Sequence, residues 1–191
     1  TSVATFWPMI LNTSIVTSVA FGRLKLIVVV GLNGFGRIGR AIARIAVDKN
    51  FMTIEAINTS KTTPKMLAYT LKYDSVYRRF NHDVSASENG ISVDGRFITA
   101  YNQRNPEEIP WSDHTIDVVV DCTGVFKDRE GLQKHIQGTV KKVILSVPSS
   151  DESIKHVVIG VNSDSFDFAN TDIISNASCT TNCSAVLVKV L

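Results

Sequence analysis

The chain has 191 residues, 44% hydrophobic and 20% charged, a balance that excludes disorder and fibrous repeats and fits one domain, or one and a piece of a second. Its 20 Lys and Arg against 18 Asp and Glu leave a net charge of +2, too little for the broad basic surface that holds nucleic acid. Three cysteines, Cys122, Cys179 and Cys183, are too few and odd in number for a disulfide framework, and indicate free thiols in a reducing compartment.

The first 22 residues carry no charge, seven of them are Ser or Thr, and the first acid of the chain is Asp48. Such a stretch can be a presequence, but it lacks a basic start. Pro8, Asn12, Thr13 and Ser14 break it well short of the roughly 20 apolar residues of a membrane span. Residues 1–23 therefore read as a poorly ordered tail, and no membrane partner is expected. The chain stops at Leu191 inside an apolar run and starts at Thr1 rather than Met, so both ends read as cut.

Residues 24–30, Leu-Lys-Leu-Ile-Val-Val-Val, predict a strand buried on both faces. Ile38, Ala41, Ile42, Ile45 and Ala46 then recur with the spacing of a helix resting one face on a sheet. A second strand over residues 52–58 closes a βαβ unit. Residues 116–121, 140–145, 156–160 and 171–175 predict further strands, and 127–137 a helix. Asn89-Gly90 and Asp94-Gly95 have the chemistry of two-residue hairpin turns. The fold class expected is α/β, a doubly wound, mainly parallel sheet of Rossmann type with an antiparallel hairpin insertion.

Gly34-Phe35-Gly36-Arg37-Ile38-Gly39 fits G-x-G-x-x-G between a buried strand and an amphipathic helix, the context in which glycines admit a pyrophosphate to the helix N-terminus. The fingerprint calls for an acid on the ribose about 20 residues further on. That position is Thr59, followed by Ser60 and Lys61. A carboxylate would repel a 2′-phosphate and these residues would not, which tilts the expected cofactor from NAD toward NADP or dual use.

Ser178 and its small polar neighbours precede the last apolar run, which places Cys179 at or near a helix N-terminus. There the helix dipole favours an anionic sulfur, so Cys179 is a candidate nucleophile. Cys183, one turn on, reads as a small apolar helix residue, and no metal site is expected.

With these motifs in place the chain resembles the phosphorylating glyceraldehyde-3-phosphate dehydrogenases. Their A-S-C-T-T-N-C stands intact at residues 177–183 and their N-G-F-G-R-I-G-R at 33–40, with Lys72-Tyr73-Asp74-Ser75, Thr123-Gly124-Val125-Phe126 and Gly160-Val161-Asn162 between or beside them. The resemblance runs from about Leu24 to Leu191. It implies a dinucleotide-binding domain over residues 24–175 and the start of a catalytic domain over 176–191. It also implies cofactor contacts from Asn33, Gly34, Gly36, Arg37, Ile38, Gly39, Asn58, Thr59, Arg104, Thr123, Gly124 and Ser146. Cys179 is implied as the catalytic thiol, with Ser178 and Thr180 beside it where substrate and inorganic phosphate meet.

The implied reaction converts glyceraldehyde 3-phosphate to 1,3-bisphosphoglycerate with NAD or NADP, in a cytoplasmic homotetramer, or in an organelle if the leading segment directs import. The family's activating histidine and most of its substrate-phosphate contacts belong to later residues. His82, His114, His135 and His156 match no catalytic position and are expected on the surface or in loops. Erythrose-4-phosphate dehydrogenase and a non-catalytic dinucleotide-binding module are the alternatives. Departures from the family pattern are Thr59 for an acid, Arg78 for a glycine and Cys122 for a serine.

Overall fold

The computed structural model describes residues 27–191; the leading segment expected over residues 1–23 lies outside them. In chain order the elements are β1 (Val28–Asn33), α1 (Arg37–Lys49), β2 (Met52–Asn58), α2 (Pro64–Lys72), β3 (Tyr73–Asp74), β4 (Arg78–Arg79), β5 (Val84–Ser87), β6 (Gly90–Val93), β7 (Arg96–Tyr101), β8 (Val118–Asp121), α3 (Arg129–Gln133), β9 (Lys142–Leu145), β10 (Lys155–His156), β11 (Ile173–Ser175) and α4 (Cys179–Val190). Nine strands form one sheet in the order β10-β11-β9-β8-β1-β2-β7-β6-β5. All neighbours are parallel except β7-β6-β5, the antiparallel insertion at one edge.

Alternation along the strands divides the core into two layers, as the two-residue period requires. Val28, Val30 and Leu32 of β1, with Val118, Val120 and Ile144, pack with Ile42, Ala43 and Ala46 of α1 and Leu67 and Leu71 of α2. On the opposite face Val29 and Val119 join Trp111 and Ile116, and Val143 and Leu145 join Leu132 of α3. The continuous apolar runs of β1 and β8 thus reflect burial on both sides. Between Val30 and Gly31 the register with β2 slips by one residue, which brings Ile54 and Ile57 into the same layer.

Several boundaries differ from the sequence expectation. β1 does not stop at Val30 but runs through Gly31 to Asn33. Gly31 is a strand glycine: a Cβ there would lie 2.9 Å from the Trp111 ring. The buried face of α1 is turned from the expected stripe, taking in Ala43 and Arg44. α2 was not anticipated, although Thr63 at the N-cap, accepting from the Met66 N–H, and Pro64 in the first turn are ordinary start signals. The Asp94-Gly95 turn is as expected, with both residues at positive φ. Asn89-Gly90 is shifted: the loop is Glu88-Asn89, and Gly90 is already in β6. A Cβ on Gly90 would lie 2.1 Å from the Ile98 carbonyl oxygen.

The helix expected over 127–137 is only α3. It starts on the Asp128 N-cap and tightens after Gln133, where the His135 and Ile136 amides bond three residues back, to Leu132 and Gln133. That tightening turns His135 inward. The strand expected over 156–160 is confined to Lys155–His156.

Candidate functional site

β1 lies between β2 and β8, so the chain leaves it in two directions and the crevice opens at this switch point, outside the carboxyl ends of the strands. The backbone there is stitched one residue past each strand. The Gly34 amide donates to Asn58 O at 2.8 Å, Cys122 to Asn33 O at 2.7 Å, Ser146 to Asp121 O at 3.0 Å and Asn176 to Leu145 O at 2.9 Å. A crevice of about 500 Å³ results, with Asn33, Gly34, Gly36, Asn58, Thr59, Ser60, Gln103, Arg104, Cys122, Thr123 and Phe126 in its walls. That volume lies in the range of small-ligand sites.

The glycine turn meets the requirements of a pyrophosphate site. Gly34 has φ +95°, and a Cβ on it would lie 2.9 Å from the backbone at Cys122 and Thr123. A Cβ on Gly39 would lie 2.1 Å from Gly34 O, whereas one on Gly36 would meet nothing within 4 Å. The first and third glycines therefore serve close packing, and the second leaves open space beside the start of α1. That helix has no side-chain cap and no acid in its first turn, so its N-terminal field faces the crevice uncompensated. The residues present fit a dinucleotide phosphate.

The side walls are tied together by buried polar contacts. Asn33 Nδ2 donates to Asp121 Oδ2 at 2.7 Å, and its Oδ1 accepts from Asn58 Nδ2 at 2.7 Å. Asn58 clamps Gln103 from both sides, donating to its carbonyl at 2.9 Å and accepting from its amide at 2.8 Å. Asp121 Oδ1 accepts from the Thr123 amide at 3.0 Å and hydroxyl at 2.7 Å. Of the other residues in question, Thr59 donates its amide to Tyr101 O at 3.0 Å. Arg37 and Arg104 are exposed. Arg37, Ile38, Gly39, Gly124 and Ser146 flank the crevice rather than line it.

Cys179 stands exposed at the first position of α4, after β11 and on the same sheet edge. Ser178 is the N-cap, its Oγ accepting from the Thr181 amide at 2.9 Å and lying 2.9 Å from the Thr180 hydroxyl. Asn182 Nδ2 donates to Asn176 O and Ser178 O, both at 2.9 Å. Ala177 takes φ +56°, a conformation costing an alanine about 1–2 kcal/mol, which these bonds hold in place.

Residues 28–129 match the family model described as the glyceraldehyde 3-phosphate dehydrogenase, NAD binding domain. The chain belongs to that family. Glyceraldehyde-3-phosphate dehydrogenase 1 of Bacillus cereus is 49% identical over 162 residues, 85% of this chain and 48% of the relative. Glyceraldehyde-3-phosphate dehydrogenase 1 of Trichormus variabilis is 45% identical over 163 residues, 85% and 47%. The Wickerhamomyces ciferrii enzyme is 44% identical over 164 residues, 86% and 48%. The chain thus spans about half the length of the curated glyceraldehyde-3-phosphate dehydrogenases it matches. Among the described residues, no helix is long and apolar enough to cross a membrane.

The structure corrects the expectation for one histidine. His135, expected on the surface or in a loop, does lie in the turn after α3, but it is fully buried and bonded to Trp111 and Asp121, where the tightened backbone turns it inward. Gln103 was missed as a crevice residue, and Asp121 as the buried acid behind the crevice walls. Asp121 could have been noticed as a lone acid ending an apolar strand. Gln103 bonds through its backbone, which no side-chain pattern reveals.

Proposed function

We propose that this chain carries the cofactor site and nucleophile of a phosphorylating glyceraldehyde-3-phosphate dehydrogenase, with residues 24–175 as the dinucleotide-binding domain and 176–191 opening the catalytic domain. The observation that carries the reading is that the glycine turn after β1 and the helix start bearing Cys179 stand on one edge of one sheet, joined by the backbone bonds from Asn58 through Asn176.

A bound dinucleotide would be held by the α1 N-terminus and the crevice walls, and supplies a ring that accepts hydride. The Cys179 sulfur attacks the aldehyde carbon of glyceraldehyde 3-phosphate, forming a C–S bond. The C=O π pair moves onto oxygen, and its return as hydride leaves the carbon gives the thioester, so that starting from the thiolate no proton is left over. Inorganic phosphate then attacks the acyl carbon, the C–S bond breaks, and the thiolate departs as 1,3-bisphosphoglycerate forms. The N-terminal dipole of α4 stabilises the thiolate both as nucleophile and as leaving group. Ser178 and Thr180 present hydroxyls where the attacking phosphate arrives. The assembled protein is a cytoplasmic homotetramer.

Thr59 and Ser60 in the crevice wall, with exposed Lys61 following, support NADP use equal to or better than NAD. The test is steady-state kinetics on this chain joined to the second half of a curated relative. Cys179→Ser should abolish turnover. Thr59→Asp should move the kcat/KM ratio toward NAD by at least about tenfold, the equivalent of 1.4 kcal/mol. A parent that strongly prefers NAD, with a ratio unmoved by Thr59→Asp, contradicts the ribose assignment. Turnover that survives Cys179→Ser contradicts the mechanism.

A further inference from the structure

Beneath the crevice lies a buried cluster that the proposed chemistry does not use. Trp111 Nε1 is 3.1 Å from His135 Nδ1, and both residues are 0% exposed. The indole N–H can only donate, so Nδ1 must be the acceptor and the ring hydrogen sits on Nε2. That nitrogen is 3.3 Å from Asp121 Oδ2 and donates to it. Asn33 Nδ2 lies 3.4 Å from the same nitrogen, but both are donors, so the amide is directed to Asp121 instead.

Asp121, also 0% exposed, therefore accepts from His135, Asn33 and twice from Thr123. Such a buried carboxylate is tolerable only when its acceptor positions are filled. The His135 ring also meets Phe126 edge-on, with centroids 6.3 Å apart at 86°, and Phe126 is part of the crevice wall. One imidazole thus touches, directly or through a single carboxylate, Thr123, Phe126, and the Asn33–Asn58–Gln103 chain on the far side.

We infer that His135 is a positioning residue for the dinucleotide: as the Nε2–H tautomer fixed by Trp111, it holds Asp121 and through it both walls of the crevice. The inference rests on the dinucleotide reading above. It gives Trp111 a role as well, since without the indole donor the imidazole is free to place its hydrogen on Nδ1 and present a lone pair to Asp121.

Three measurements on the 191-residue chain test it. Long-range ¹H–¹⁵N spectra of the His135 ring should show the Nε2–H form; the Nδ1–H form overturns the inference without any variant. His135→Phe keeps the ring and removes both hydrogen bonds, whereas His135→Gln restores a donor toward Asp121 and leaves Trp111 unpartnered. Titrated with NAD, His135→Phe should bind at least about fivefold more weakly, with faster hydrogen exchange at the Thr123 and Gln103 amides, and His135→Gln should recover most of the affinity. Equal binding by His135→Phe and parent, or equal losses in both variants that follow their stability, overturns the positioning role alone. A parent chain with no NAD binding contradicts the dinucleotide reading and this one with it, while the tautomer measurement remains independent of either.

Discussion

At the scale of single residues, the three thiols differ in what surrounds them. Burial pushes the Cys122 thiol up, with the neighbouring Asp121 charge adding to the shift, so this sulfur stays protonated and inert. Cys179 and Cys183 are exposed, but Cys179 begins α4 and Cys183 lies a turn inside it. A limiting dose of iodoacetamide should label Cys179 ahead of both others, as read by peptide mapping. First labelling of Cys122 would reject the placement. The place of Cys179 at a helix start was legible in the sequence because small polar residues before an apolar run mark such a start, a local signal. His135 was not, because its burial depends on Trp111 and Asp121, 24 and 14 residues away, and no periodicity records such a meeting.

At the scale of elements, the segment from α2 to β5 carries two testable features. Arg78 has φ +61°, at the position where the resemblance leads one to expect a glycine, and its side chain is exposed. Its carbonyl accepts from Arg44 Nη2 at 3.1 Å, a bond that a glycine keeps. Arg78→Gly should therefore raise unfolding free energy by about 1 kcal/mol, read as a higher urea midpoint with unchanged slope; a lower midpoint would mean that the arginine side chain contributes more than its backbone strain costs.

His82 joins α1 to the hairpin, with Nε2 2.8 Å from Asp48 and Nδ1 2.6 Å from Asp94. The Asp94 hydrogen bond, then that of Asp48, raises the His82 pKa, while His82 lowers that of Asp94. A raised histidine stabilises the fold fully below its unfolded value of about 6.5 and loses that contribution as pH rises through the folded value. Asp94 contributes above about 3.9 and loses its share as pH falls through its depressed value. The clamp is thus strongest near pH 5 to 6, roughly between these limits. Amide exchange at Asp83, which donates to Asp94 Oδ1, should quicken beyond the intrinsic rate as pH rises above about 6.5, and Asp94→Asn should remove that dependence. Unchanged protection in both proteins would show the clamp to be idle. The hairpin itself was legible from Asp94-Gly95, whose chemistry decides its own turn. The Gly90 position and the short α3 were not, since a cross-strand approach to Ile98 and an inward-turning histidine are tertiary effects.

At the scale of the whole molecule, the alternating β and α pattern sufficed for the doubly wound sheet, because two-sided burial forces continuous apolar strands and one-sided helices. The polar network at the crevice, with Asn33 and Asn58 in its wall and Asp121 buried behind Asn33, emerges only when three strand ends are neighbours. These 191 residues by themselves are expected to give no aldehyde-dependent reduction of NAD or NADP; measurable turnover would overturn the view that the activating histidine belongs to later residues. The central claim is that the open space over Gly36 receives a dinucleotide phosphate, and an alanine there tests it most directly. A Cβ on Gly36 meets no protein atom within 4 Å and its φ of −73° suits alanine, so Gly36→Ala should leave the melting temperature unchanged. In an NAD titration beside the parent chain it should bind at least about tenfold more weakly. Equal NAD affinity in the two proteins would contradict the claim.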